Sequence, residues 1–205
     1  MASTQIDSDW YTPEDLRLGL EESIDCDYVV LGGGISGLSA LLTLAVAGTH
    51  SVLLEARHIG SGGTGASTAI ITQAAGSEQG AREMINQFGL ETTTKIFGYV
   101  TEGIRDIRNV IAQKEKNCDL RNQGYLNLFQ DRKAAREEHD AQLQMGNQNT
   151  FLDSSKLQDY LRSSYYQAGL LFADPGLNYV LNPYMLVRLM AEKAEDLCAV
   201  IYEHT

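Results

Sequence analysis

Residues 29–40 read "VVLGGGISGLSA", an apolar run interrupted by Gly32, Gly33, Gly34 and Gly37. Glycine weakens strands and helices alike, so four of them in apolar sequence require a reason. Gly32, Gly34 and Gly37 have the spacing Gly-x-Gly-x-x-Gly. Between a strand and a helix, the first glycine permits a tight turn and the second lets the backbone approach a pyrophosphate. The third lets the helix pack closely on the strand. Phosphates then meet free N–H groups at the positive end of the helix. Glu55 lies eighteen residues beyond Gly37. At the end of a second strand its carboxylate could accept hydrogen bonds from an adenosine ribose, and its charge disfavours a 2′-phosphate.

Such a motif has meaning only in its structural context. Residues 27–31, "DYVVL", read as a short strand buried on both faces. "ISGLSALLTLAVAG" is rich in Leu and Ala and reads as a helix, with Gly48 placed to end it in a left-handed conformation. "SVLLEA" reads as a second buried strand. Strand, helix and strand within about thirty residues make a βαβ unit.

Residues 60–68, "GSGGTGAST", form a loop of small residues, and residues 80–116 are helical in pattern. Phe97, Val100, Ile104, Ile107 and Ile111 draw one apolar stripe at +3 and +4 spacing, read as a core-facing helix face. "QGYLNLFQ" alternates as a half-exposed strand does. "DRKAAREEHDAQLQM" reads as a helix capped by Asp131, its charge run a solvated face. Asn182 before Pro183 signals another helix start, followed by a strand in "CAVIYEHT". Residues 1–25 are polar and read as a surface arm pinned by Trp10 and Tyr11.

The chain of 205 residues is 43% hydrophobic with a net charge of −11. It can build a core, and a large basic face for nucleic acid is not expected. Its three cysteines form no Cys-x-x-Cys pair, which fits a reducing compartment. No apolar stretch is long enough to span a bilayer, and the acidic N-terminus does not read as a transit peptide. A soluble, cytoplasmic protein is expected. The four histidines lack metal-ligand spacing, so no metal is expected. Tyr125, Tyr165, Tyr166 and Tyr179 read as core or rim residues before pocket residues.

The βαβ segment together with "EARHIGSGGTGASTAIITQ" resembles the FAD-binding N-terminus of the D-amino-acid-oxidase-like flavoproteins, the group of glycine oxidase, sarcosine oxidase and γ-glutamylputrescine oxidase. The resemblance is specific over residues 26–73 and a matter of element order beyond. It implies an α/β, Rossmann-like FAD-binding βαβ domain with a helical segment and part of a substrate domain. The implied division is an arm at 1–25, FAD-binding portions at 26–120 and 166–205, and a partial substrate domain at 121–165. It further implies that Gly32, Gly34, Ile35, Ser36 and Gly37 form the phosphate turn, and that Glu55 binds ribose. Ala56 and Arg57 would lie near the adenine, and Gly63 and Thr64 along the pyrophosphate. Ser67, Thr68, Ala69 and Ile70 would approach the ribityl chain and ring.

The implied chemistry is hydride transfer from the carbon beside nitrogen in a small amine or amino acid to FAD, with electrons passing on to oxygen or another acceptor. Family members run well beyond 205 residues, so the expectation is a C-terminal portion missing from this chain. With it would be missing the catalytic groups. FAD binding by the chain alone is expected to be weak or absent, with self-association as a homo-oligomer or dependence on the missing half. An NAD-binding dehydrogenase module and a non-catalytic nucleotide-binding fragment stay open as alternatives, although the "GSGGTGAST" loop counts against the first.

Overall fold

The expected βαβ order is present in the computed structural model, which describes residue 10 and residues 17–73, 80–112 and 118–205. The elements run β1 (Tyr28–Leu31), α1 (Ile35–Val46), β2 (Ser51–Leu54), β3 (Ile70–Thr72), α2 (Ala81–Phe88), α3 (Leu90–Ala112) and β4 (Tyr125–Phe129). They continue with α4 (Arg132–Gln144), β5 (Thr150–Asp153), α5 (Ser154–Leu157), β6 (Ala168–Phe172), β7 (Asn178–Val180), α6 (Pro183–Asp196) and β8 (Val200–Tyr202). They divide between two units. One comprises Met1–Ala69, Val110–Asp119 and Leu181–Thr205, the other Ile70–Asn109 and Leu120–Val180.

The first unit holds a parallel sheet in the order β1-β2-β8. The β-rich run of β2 is buried at its centre, as its sequence requires. Leu38, Leu41 and Ala45, spaced +3 and +4, turn one face of α1 inward, and α1 packs against α6. Gly48 ends α1 at φ +74°. Its N–H donates to the Ala45 carbonyl and that of Thr49 to the Leu44 carbonyl, at 2.9 and 3.2 Å, which is the Schellman arrangement. Asn182 caps α6 by accepting from the N–H groups of Tyr184 and Met185, with Pro183 in the first turn.

The β1 strand corrects an expectation. Its run suggested burial on both faces, yet Tyr28 is 52% and Leu31 78% exposed. Among the described residues β1 pairs with β2 alone, so it is an edge strand. Trp10 Nε1 donates to the Ser67 carbonyl at 3.3 Å, which bears out one of the two expected arm contacts. Tyr11 lies outside the described residues. Cys26 is half-buried, Cys118 buried and Cys198 exposed, and none of the three forms a disulfide.

The second unit contains the antiparallel sheet β4-β6-β5 and the antiparallel pair β3-β7. The helical pattern over 80–116 resolves into two helices, because Gly89 at φ +79° ends α2 before α3 begins; residues 113–116 lie outside the described residues. Phe97 and Ile104 of the stripe are buried in this unit. Asp131 caps α4, as read. The charge run of α4 is not wholly solvated, however. Glu138 and Gln142 are buried, because Glu138 accepts the Ala81 and Arg82 N–H groups at 2.8 and 3.0 Å and so caps α2.

Tyr179 is a core residue of this unit, its hydroxyl donating to the Ile104 carbonyl at 3.0 Å. Burial pushes its phenol up to about 12, with Arg108 beside the ring pulling the other way. The folded state therefore holds this proton more tightly than the unfolded one. The resulting stability is whole below about pH 10, the ordinary tyrosine value, and drains as pH rises through about 12. Denaturant unfolding at stepped alkaline pH is expected to show a steeper loss for the parent chain than for Tyr179→Phe.

Candidate nucleotide-binding site

The turn after β1 pivots on Gly32, whose φ of +99° suits glycine alone. The Gly32 N–H donates to the Leu54 carbonyl at 2.8 Å, joining the turn to the end of β2. Gly37 sits in the first turn of α1, and a Cβ there would collide with the Gly32 carbonyl oxygen. Gly34 is the helix N-cap, extended and without a side-chain cap. The first bond within the helix runs from the Leu38 N–H to the Gly34 carbonyl, at 3.0 Å. The amides of Gly34, Ser36 and Gly37 therefore stand at the positive opening of α1. Thr64 Oγ1 accepts the Ile35 N–H at 3.0 Å, so the small-residue loop is tied to this opening.

Glu55 follows β2 directly. Its Oε2 accepts the Gly33 N–H at 2.6 Å and its Oε1 the Arg57 N–H at 2.8 Å. Each carboxylate oxygen keeps a further lone pair, so the group can brace the glycine turn and still accept from a sugar hydroxyl. The loop is held from its other side by Gly60, whose N–H donates to the Gly33 carbonyl at 2.9 Å. Gly60 has φ +74°, and a Cβ there would come 2.7 Å from Val187 Cγ2 of α6.

Ala56 is exposed and Arg57 half-buried, the latter with Nη2 3.4 Å from the Ser61 carbonyl. A Cβ on Gly63 would meet nothing within 4 Å, which leaves open space over the loop. The Ser67 N–H donates to the Thr64 carbonyl at 3.2 Å, and Ser67 Oγ accepts the Ala69 N–H at 3.3 Å. Thr68 is exposed. Ala69 is buried with φ +60°, and its carbonyl accepts the Leu181 N–H at 3.3 Å. Ile70 opens β3 in the second unit and is 55% exposed.

One hydrogen-bonded frame thus joins the glycine turn, Glu55, Arg57 and Thr64. The sequence reading left out Gly33, Ile59, Gly60 and Glu203, which complete that frame. Gly33 and Gly60 stood within the glycine-rich stretches. Nothing local marked Ile59 or Glu203. Among the described residues no group of three His, Cys, Asp or Glu is placed to hold a metal ion, and no helix is long and apolar enough to cross a membrane.

A strand, a glycine turn, a helix with open amides and an acid ending the second strand define a dinucleotide-binding protein. More particularly, the chain belongs to the DAO family of FAD-dependent oxidoreductases, whose family model matches residues 27–205. It is 31% identical over 203 residues to gamma-glutamylputrescine oxidoreductase of Escherichia coli, covering 95% of this chain and 46% of that protein. It is likewise 31% identical over 188 residues to the probable oxidoreductase OrdL of Haemophilus influenzae, covering 87% of this chain and 41% of that one. The chain therefore spans less than half the length of these curated relatives. In fold it is similar to L-amino acid deaminase from Proteus myxofaciens, at a TM-score of 0.73 and 18% identity, over 96% of this chain and 42% of that one. The family's cofactor is FAD, and the open amides, the Cβ-free approach at Gly34 and the acceptor at Glu55 suit its ADP portion.

Proposed function

We propose that this chain supplies the nucleotide-holding part of an oxidoreductase that oxidises the C–N bond of a small amine or amino acid. The observation that carries this reading is the α1 opening, where Gly34 offers no side chain while Thr64 and Glu55 converge on the amides of Ile35 and Gly33. In this reading Gly32, Gly34, Ile35, Ser36 and Gly37 cradle the pyrophosphate with Gly63 and Thr64. Glu55 accepts from the ribose hydroxyls, and Ala56 and Arg57 border the adenine. Ser67, Thr68, Ala69 and Ile70 run along the ribityl chain toward the ring. A diphosphate needs many donors at short range, which backbone amides and hydroxyls supply.

The flavin, when bound, supplies the two-electron acceptor for a hydride from the carbon next to nitrogen, leaving an imine that hydrolyses. The protein's part is binding, orientation and charge. The similarity to gamma-glutamylputrescine oxidoreductase supports an amine or amino-acid substrate. A discontinuous FAD-binding portion is supported by the return of the chain to the first unit at Leu181, a later point than the break near 165 read from the sequence. Three cysteines without a disulfide support a reducing, cytoplasmic setting.

Glu55 gives the test. Glu55→Ala is expected to weaken ADP binding by about 1–3 kcal/mol, the scale of hydrogen bonds to a charged group. Glu55→Gln, which keeps one acceptor oxygen, is expected to lose less. Calorimetric titration of the folded variants measures both. Parent-like affinity in the two would remove Glu55 from the site, and preferential binding of NAD by the parent would favour a dehydrogenase module.

A further inference from the structure

Glu203 follows β8 with only 3% exposure. A buried charge is costly unless it is paired and hydrogen-bonded, and this carboxylate is both. Its Oε1 accepts the Ile59 N–H at 2.8 Å, and its Oε2 accepts the Arg17 N–H at 3.2 Å. Arg17 Nη1 lies 3.8 Å from Oε1, and His58 Nδ1 lies 3.6 Å from Oε2. The Arg17 guanidinium is itself fixed by two contacts to Glu195 of α6, at 2.7 and 2.9 Å. Two stretches of chain distant in sequence, at Arg17 and at His58–Ile59, thus converge on one carboxylate.

Ile59 carries the consequence into the nucleotide turn. A Cβ on Gly33 would come 3.0 Å from Ile59 Cγ1 and 3.2 Å from Ile59 Cα, so the two residues lie in close register. The neighbouring Gly60 N–H donates to the Gly33 carbonyl, and the Gly33 N–H donates to Glu55. The same loop is stitched to the end of β8 by backbone bonds. The Glu55 N–H donates to the Tyr202 carbonyl at 2.9 Å, and the Thr205 N–H to the Glu55 carbonyl at 3.1 Å.

We propose that Glu203 is a positioning residue for the nucleotide site, fixing Gly33 and Glu55 through the Ile59 N–H. The inference rests on the reading that residues 32–37 hold the ADP portion of FAD. It assigns Glu203 no contact with the nucleotide. Its effect is to keep the loop after β2 pressed on the glycine turn, so that the turn's amides and the Glu55 carboxylate hold one geometry. Arg17 offsets the buried charge and couples the segment before β1 to the same point.

The test uses two variants of the full chain and one control. Glu203→Gln keeps the size but offers one acceptor oxygen, and Glu203→Asp keeps the charge with a shorter reach. Glu138→Gln is the control, since Glu138 is a buried carboxylate that also holds two backbone N–H groups, in the second unit. Amide hydrogen exchange at Gly33 and Gly60 and binding of ADP are measured at a temperature where each variant keeps the parent's circular dichroism. Both Glu203 variants are expected to exchange these amides about tenfold faster or more and to bind ADP about tenfold more weakly, while the control changes neither. Should Glu203→Gln not fold, Glu203→Asp alone gives the reading. Parent-like exchange at Gly33 and Gly60 in a folded Glu203 variant overturns the proposal, as does an equal loss in the control. A parent that does not bind ADP overturns the nucleotide reading instead, and the exchange rates still decide whether Glu203 fixes the turn.

Discussion

Gly37→Ala is expected to lower stability by about 3 kcal/mol, the upper range for forcing an atom into filled space, and to abolish nucleotide binding with it. The added methyl would collide with the Gly32 carbonyl oxygen. A flexible side chain could swing aside, but this neighbour is backbone. The Gly32 N–H is committed to the Leu54 carbonyl, so moving the turn also disturbs the β1–β2 junction. Thermal or denaturant unfolding of the variant measures the loss. An Ala variant as stable as the parent would show that α1 can shift away from β1 at little cost.

Gly34→Val is expected to separate binding from folding. Gly34 is extended at φ −83°, a conformation that any residue adopts, so the backbone accepts valine. A Cβ there would come 3.2 Å from Thr64 Oγ1, which a small shift of the hydroxyl relieves. The rest of the isopropyl group would occupy the space over the open amides of α1. Nucleotide affinity is expected to fall by at least about a hundredfold, about 2.7 kcal/mol, while circular dichroism and melting stay close to the parent. ADP titration of the folded variant checks it, and unchanged affinity would move the pyrophosphate away from this turn.

The placement of these two glycines, Gly37 against the Gly32 carbonyl and Gly34 at the start of α1, was legible in their spacing. The helix caps at Asp131 and Asn182 and the stop at Gly48 were legible for the same reason, since each is decided by a few adjacent residues. What escaped the sequence depends on distant partners. The periodic stripe from Phe97 to Ile111 lies wholly within α3 and gives no sign of Gly89, the left-handed residue that separates α2 from α3. The apolar run of β1 describes the side chains and not the number of neighbouring strands, so its edge position could not be read. Glu138 looked like one charge among many until α2 placed its open amides against it. Glu203 belongs to no motif, and its contacts with Ile59 and Arg17 span 144 and 186 residues of sequence. The short strands β3, β5 and β7 are three or four residues long, too brief for alternation to register.

The central claim is that the opening of α1, with Glu55 and Thr64, holds the ADP portion of FAD. The most direct measurement is two-dimensional amide NMR of the labelled chain during titration with ADP at concentrations high enough to detect weak binding. The account predicts that the largest shifts fall on Gly33, Gly34, Ile35 and Ser36, with Thr64 following, and that Gly34→Val abolishes them. Saturating ADP that leaves those amides unmoved, or moves only residues of the second unit, would contradict it.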